Sequence, residues 1–448
     1  MNQSRKILSA VMAAIIALSA AGCGTGNDQA EASSGDSKTL WVEDNFTDPQ
    51  EGYPAERPAI DYFAAAQLSA SGIASPKKQQ PQEVRAVWLS YLDLKPMLLN
   101  SSDKSVGRKQ FERNIDEAFN NIKNMGLNTV IAQVRPFGDA LYESEYFPWS
   151  YLAAGVEGKD PGFDPLQIMV SKAHKKGLRL EAWVNPYRVR SGSNNKPISK
   201  NNPVNDMLKT KDAVWYGNSL TYDPASPEAQ ALIVSGVEEI VKNYDVDGIH
   251  FDDYFYPTTD AAFDTASYKA YKKDGGKKSL AAWRRSNVDS LVKKVYSTIK
   301  SIDRAVQFGI SPQGNMDNNY NKQFIDVKKW LSRKGYIDYI CPQIYFGFDN
   351  KTCPYEKTVK QWNAMIKNNV DLYVGLSPYK VGLEDTYAGN GKWEWTHSGD
   401  ILSRMVETAR DEKHYEGFAM FRYDSLFRPA KAVRNDINKE VESLKEIL

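Results

Sequence analysis

From Glu83 onward the chain alternates, eight times over, a short β-branched or aromatic run with a stretch of helical period. The runs fall at residues 84–91, 129–135, 178–184, 245–257, 305–310, 337–346, 371–376 and 417–422. The helical stretches are predicted at 108–125, 165–176, 227–243, 280–302, 323–333, 355–367, 399–410 and 429–445. In the first helix, Phe111, Ile115, Ala118, Phe119 and Ile122 recur at helical spacing, and Gly126 supplies its stop. Asp164 is placed to cap the second, with Pro165 in its first position. Near-continuous apolar runs joined by helices imply a parallel sheet covered on both faces. Eight such units imply an α/β fold closed as a (β/α)8 TIM barrel over residues 83–448, with long βα loops. The longest insertions follow the second, third and fourth runs, at the strand ends where barrel enzymes build their clefts. No GxGxxG or GxxxxGK[ST] run opens a helix, so a nucleotide fold has no support.

The segment before the barrel reads differently. Arg5 and Lys6 precede the apolar stretch 7–18, and small residues lead to Ala20-Ala21-Gly22-Cys23. Residues 1–23 are therefore predicted to be a lipoprotein signal peptide, too short for a mature membrane span, with Cys23 as the acylated (palmitate-bearing) residue. Residues 24–82 read as a low-complexity tether, with a possible docking segment around the aromatics of 40–68. The chain is thus expected in the cell envelope, lipid-anchored to the membrane on the exported side. With 57 basic and 56 acidic residues, its net charge of +1 argues against a nucleic-acid partner. No protein partner and no cofactor is called for. Four scattered His residues lack ligand spacing, so no metal site is predicted. Cys341 reads as a buried strand thiol, and its pairing with Cys353 is left open.

The strand ends carry the chemistry. The fourth run, DVDGIHFDDYFYP, ends in Asp252 and Asp253 wrapped in aromatic residues. Carboxylates rarely close a buried strand for packing reasons. By period two, Gly248, His250, Asp252 and Tyr254 share one face. Asp252 is therefore read as the inward carboxylate, with His250 or Arg135 as its partner, and Asp253 as its neighbour at the exit. Two close carboxylates can split their pKa values and leave one as a general acid. Arg135, Asn185, Tyr187, Arg188, His250, Tyr254, Gln343, Tyr345 and Tyr379 are the predicted substrate-binding residues. Amides, guanidiniums and rings gathered at one end describe a sugar cleft. Trp393 and Trp395 could form a stacking wall or an ordinary loop core. Glu181 reads chiefly as a buried partner of an Arg.

The runs VRAVWLSY, NTVIAQVRPFGDALYESEYFPWS, DPLQIMVSKAHKKGLRLEAWVNPYR, VDGIHFDDYFYP, FGISPQG, IDYICPQIYF and GLSPYKVG resemble the bacterial glycosyl-hydrolase-like family ten, over about Glu83 to Arg428. The resemblance implies a barrel, a glycosidase activity and a lipoprotein habit. Characterised relatives include a lipoprotein that cleaves peptidoglycan glycan strands lacking stem peptides. It carries over Asp252 and Asp253 as the leading catalytic pair, with Arg135, Asn185, Tyr187, Arg188, Gln343 and Tyr345 in the cleft. The fourth strand is also distantly similar to the chitinase DGxDxDxE strand. Asp247 and Asp252 match two of its Asp residues, but Tyr254 stands where the acid Glu would be.

The expected function is cleavage of N-acetylated glycan strands in the cell envelope, foremost peptidoglycan without stem peptides. The alternatives are a non-catalytic carbohydrate-binding lipoprotein and a glycosidase acting on an exported polysaccharide. Strand seven offers no carboxylate before Glu384. The second catalytic group is then either a loop carboxylate such as Asp139 or Asp317, or the substrate's own acetamido group.

Overall fold

The computed structural model describes residues 83–192 and 196–448. The predicted signal, the tether and Cys23 lie outside the described residues. Eight parallel strands close a barrel: β1 Val84–Leu89, β2 Thr129–Arg135, β3 Arg179–Val184, β4 Gly248–Phe251, β5 Gln307–Ile310, β6 Tyr339–Ile340, β7 Asp371–Leu376 and β8 Tyr415–Met420. Each strand pairs with its sequence neighbours, and β1 closes on β8 with Val84 opposite Gly417. Helices lie between successive strands, among them Arg108–Asn124, Pro165–Lys175, Pro227–Asn243 and Leu280–Ile302. The Asp164 side chain accepts from Gln167 N–H, and Ser226 caps the helix of Pro227 in the same way. Gly126, at φ +90°, ends the first of these helices.

Four elements depart from the periodicity. The first run stops at Leu89, and a helix, Tyr91–Leu98, follows at once; Ser90 and Asp93 form its capping box. β6 is two residues long, because Pro342 has no N–H for the ladder. Gln343 resumes the pairing as an isolated bridge to Gly375 and Gln313. The helix expected at 323–333 is confined to Val327–Ser332, its start delayed past Phe324 at φ +54°, and a further short helix, Met316–Asn321, precedes it. The long loop after β3 folds into an antiparallel sheet of Arg188–Arg190, Ala213–Tyr216 and Ser219–Tyr222.

Large side chains fill the barrel. Val84, Ala86, Trp88, Ile131, Trp183, Tyr339, Cys341, Tyr373 and Ala419 form one buried cluster inside the strands. A larger apolar shell lies between strands and helices. The interior accommodates this many rings because small residues face them. A Cβ at Gly309 would fall within the ring of Tyr339. Gly309→Ala is therefore expected to cost about 1–3 kcal/mol or more through overpacking. An unchanged urea midpoint for the purified variant would contradict this packing. Cys341 and Cys353 are both free thiols, the first inside the barrel and the second in the loop after β6.

Candidate active site

The strand pattern of β4 ends at Phe251, and the two carboxylates that follow both reach the barrel mouth. Asp252 is 3% exposed and Asp253 7%. Side-chain alternation does not continue past the strand, so Asp253 turns toward the mouth as well. Asp252 Oδ2 accepts from Trp183 Nε1 at 3.2 Å and from the Asn185 amide, and its Oδ1 accepts from Tyr254 N at 3.1 Å. Asp253 is held by two glutamines: Gln313 Nε2 donates to Oδ2 at 3.2 Å and Gln343 Nε2 to Oδ1 at 3.1 Å. The Gln323 amide, turned so that its oxygen accepts from Gln313 Nε2, donates to the carbonyls of Asp253 and Tyr256.

Burial, together with the adjacent charge of Asp253, pushes Asp252 up to about 7. Burial raises Asp253 too, against the amide hydrogen bonds of Gln343 and Gln313. Two buried carboxylates side by side disfavour the doubly charged state, so the pair holds one proton near neutrality. Asp252 Oδ2 already receives two N–H bonds. Oδ1, with one, is the oxygen that can carry the proton.

The polar partners have fixed orientations. Tyr91 N donates to Gln133 Oε1 at 2.8 Å, Gln133 Nε2 donates to Asn185 Oδ1 at 2.6 Å, and Asn185 Nδ2 donates to Asp252. A backbone N–H at the head of this chain determines which end of each amide points forward. Arg188 is the basic group acting on both carboxylates. Its Nε donates to Pro136 O at 3.0 Å, and its guanidinium lies 5.0 Å from the Phe137 ring centroid and 4.4 Å from that of Tyr254. Across the mouth, Tyr345 meets Tyr379 edge-on at 5.7 Å and leans on Phe421 at 5.9 Å.

One layer down, Trp88 Nε1 donates to His250 Nε2 at 3.2 Å, and His250 Nδ1 meets the Tyr339 hydroxyl at 2.7 Å. The indole is only a donor, so Nε2 accepts and Nδ1 carries the hydrogen. The Tyr339 hydroxyl in turn donates to Glu181. Burial lowers His250 to about 3, so the ring is neutral. Its neighbour Trp183, at 6.3 Å edge-on, is the ring that donates to Asp252.

The structure brings together Asp252, Asp253, Asn185, Arg188, Tyr254, Gln343, Tyr345 and Tyr379, and it separates three other expected residues from them. Arg135 does not partner Asp252. The β2–β3 register shifts between Gln133 and Arg135, and the guanidinium lies buried, 4.3 Å from the Phe147 ring centroid. His250 shares the face of Asp252 but bonds to Trp88 and Tyr339 instead. Tyr187 is wholly buried and packs on Phe255. Asp247 lies at the opposite end of β4, accepting from Leu180 N and facing His174. Asp139 is buried against Tyr151 N, and Asp317 accepts from Asn321 one helical turn away. Glu181 lies 3.7 Å from Arg179. Trp395 is loop core at 1% exposure, whereas Trp393 is half exposed. Gln313 and Trp183 bond the carboxylates directly and Gln133 orients Asn185, but none of the three is among the predicted site residues. Their signal is placement, since each lies at or just past the end of its strand.

Residues 83–393 match the family described as glycosyl hydrolase-like 10. The chain is 39% identical over 360 residues to a Bacillus subtilis (strain 168) protein named glycosyl hydrolase YngK, covering 75% of this chain and 68% of that one. It is 35% identical over 385 residues to glycosyl hydrolase DigH of Escherichia coli (strain K12), covering 79% of this chain and 85% of that one. In fold it is similar to the catalytic domain of beta-amylase from Paenibacillus polymyxa, with a TM-score of 0.52 at 11% identity, over 82% of this chain and 99% of that one.

Proposed function

The chain belongs to the glycosyl hydrolase-like 10 family, a membership that makes it a glycoside hydrolase, and from that premise we propose that it cleaves N-acetylated glycan strands of the cell envelope, foremost peptidoglycan lacking stem peptides. The observation that carries the reading is the Asp252–Asp253 pair at the barrel mouth, held by five side-chain and backbone N–H donors. Asp252 is the general acid and Asp253 the ionised partner. Asp139 and Asp317 are bonded elsewhere, which favours the substrate's acetamido group as nucleophile.

In that mechanism the Asp252 proton passes to the glycosidic oxygen as the C1–O bond breaks. The acetamido carbonyl oxygen bonds to C1, and the acetamido N–H gives its proton to Asp253. Water then adds to C1 and breaks the C1–oxygen bond of the ring so formed. The water proton returns to Asp252, and Asp253 returns the amide proton. Asn185 and Trp183 keep Asp252 aimed, and Arg188 limits the repulsion within the pair. The lipobox ending at Cys23 supports export and anchoring at a membrane surface, near such a substrate.

The test is incubation of the purified barrel with peptide-free glycan strands and mass analysis of the products. Soluble N-acetylated oligosaccharides are expected; their absence, with protein retained on the strands, would leave a binding lipoprotein instead. Release from an exported polysaccharide alone would move the substrate but keep the chemistry. The pH dependence follows from the acid. Because Asp252 is protonated below about 7, kcat/KM should fall about tenfold per pH unit above that value. A profile flat from pH 6 to 9 would remove Asp252 from the acid role.

A further inference from the structure

Among the described residues seven large apolar side chains are left exposed: Val156, Trp215, Tyr216, Tyr254, Tyr320, Tyr387 and Trp393. All seven lie on segments that follow the C-terminal end of a barrel strand. Exposed rings carry a solvation cost, and their confinement to the face that bears the carboxylates marks it as a binding face. Two of them are adjacent. Trp215 and Tyr216, 47% and 40% exposed, precede the Gly217–Asn218 turn of the hairpin that joins Ala213–Tyr216 to Ser219–Tyr222.

That hairpin is fixed to the site from two sides. Its sheet includes Arg188, the cation acting on both carboxylates, with Arg188 opposite Thr221. Its tip is tied to the loop leaving β4, since the Thr258 hydroxyl donates to the Tyr216 hydroxyl at 3.0 Å. The Tyr216 ring also stands edge-on to Phe263 at 6.2 Å. Phe263 in turn meets Tyr256, three residues past Asp253. A half-exposed ring held by its hydroxyl and one edge keeps one orientation. It can therefore receive a pyranose face without first being ordered.

We propose that Trp215 and Tyr216 form a stacking subsite for a sugar unit remote from the bond cleaved, so that the site engages an extended glycan strand and not a short oligosaccharide. This rests on the glycosidase reading above and adds the length of substrate that the cleft requires. Binding energy gathered at a remote unit can be used to position the reacting one, so it appears in the rate on long strands.

The test compares wild type with Trp215→Ala and with Trp215→Ala/Tyr216→Ala on N-acetylated glycan strands and on a trisaccharide of the same repeat. Circular dichroism and thermal melting establish that the variants fold. The ratio of kcat/KM on strands to that on the trisaccharide is expected to fall roughly tenfold in the double variant. An equal loss on both substrates, or no loss on either, overturns the proposal. Retention on insoluble peptide-free strands is measured in parallel for Asp252→Asn and for Asp252→Asn/Trp215→Ala. Weaker retention of the second supports the subsite even where no turnover is found, a result that overturns only the catalytic reading. Equal retention of the two overturns the subsite.

Discussion

Asp252→Asn is expected to lower kcat by roughly 10²–10⁴-fold on glycan strands, the range associated with loss of a positioned general acid. The asparagine keeps the size of the carboxyl group and its place beside Trp183 and Asn185, but has no transferable proton. The same variant should change how stability depends on pH. The folded Asp252 binds its proton up to about 7, against about 3.9 in an unfolded chain. The folded state therefore holds the extra proton between those values. Its stabilising effect is complete below about pH 4 and is lost as pH rises through 7. Asparagine does not titrate, so the melting temperature of the variant relative to wild type should climb from pH 4 to pH 8. The difference corresponds to an order of 2–4 kcal/mol at these pKa values. Retention of more than about a tenth of the rate, together with a pH-independent stability difference, would show that Asp252 is neither the acid nor the titrating group.

Arg284→Met should destabilise the fold by about 3–5 kcal/mol, because it strands a buried carboxylate. Arg284 and Asp264 have no exposed side-chain surface and form a two-point pair, through Nε at 2.8 Å and Nη2 at 2.6 Å. The guanidinium also donates to the carbonyls of Thr258, Thr259 and Asp260 and lies 4.8 Å from the Phe324 ring centroid. One side chain from the helix Leu280–Ile302 thereby holds the loop that leaves β4 behind the carboxylates. Urea unfolding of the single variant and of Arg284→Met/Asp264→Leu separates the causes. The double variant removes both charges and should recover part of the loss. A single-variant loss below about 1 kcal/mol would mean that the pair is not desolvated as described.

Much of the barrel could be read from the sequence because its strands and helices are long and periodic. β2, β7 and the helices Pro227–Asn243 and Leu280–Ile302 have the boundaries their pattern implies. The misses have local causes. Pro342 truncates β6, Phe324 at positive φ delays the helix after β5 to Val327, and the sheet after β3 is built from strands of three and four residues, too short for a periodicity signal. Asp252 and Asp253 stood out because a strand that ends in two carboxylates needs partners. The partners themselves were harder to find. Gln343 was among the expected cleft residues, but Gln313 lies 60 residues from Asp253, past the end of β5, where no period indicates direction. Arg135 was expected beside Asp252 because a buried carboxylate needs a positive partner, but the β2–β3 register shifts after Gln133 and the guanidinium lies against Phe147 instead. His250 does face inward, and depth along the axis, which alternation does not report, places it below the carboxylates.

The chain from Trp88 through His250 and Tyr339 to Glu181 has a consequence for how the enzyme can respond to acid. Every hydrogen in it points one way, because the indole at its head cannot accept. A proton added to His250 would put an N–H against the indole N–H, and burial already opposes the charge. The floor of the barrel is in this sense an electrical insulator. Proton traffic at Asp252 and Asp253 has no downward route and must be exchanged with substrate and solvent at the open end. Acidification above about pH 4 should therefore leave the His250 ring neutral, and its effect on turnover should run foremost through the two aspartates.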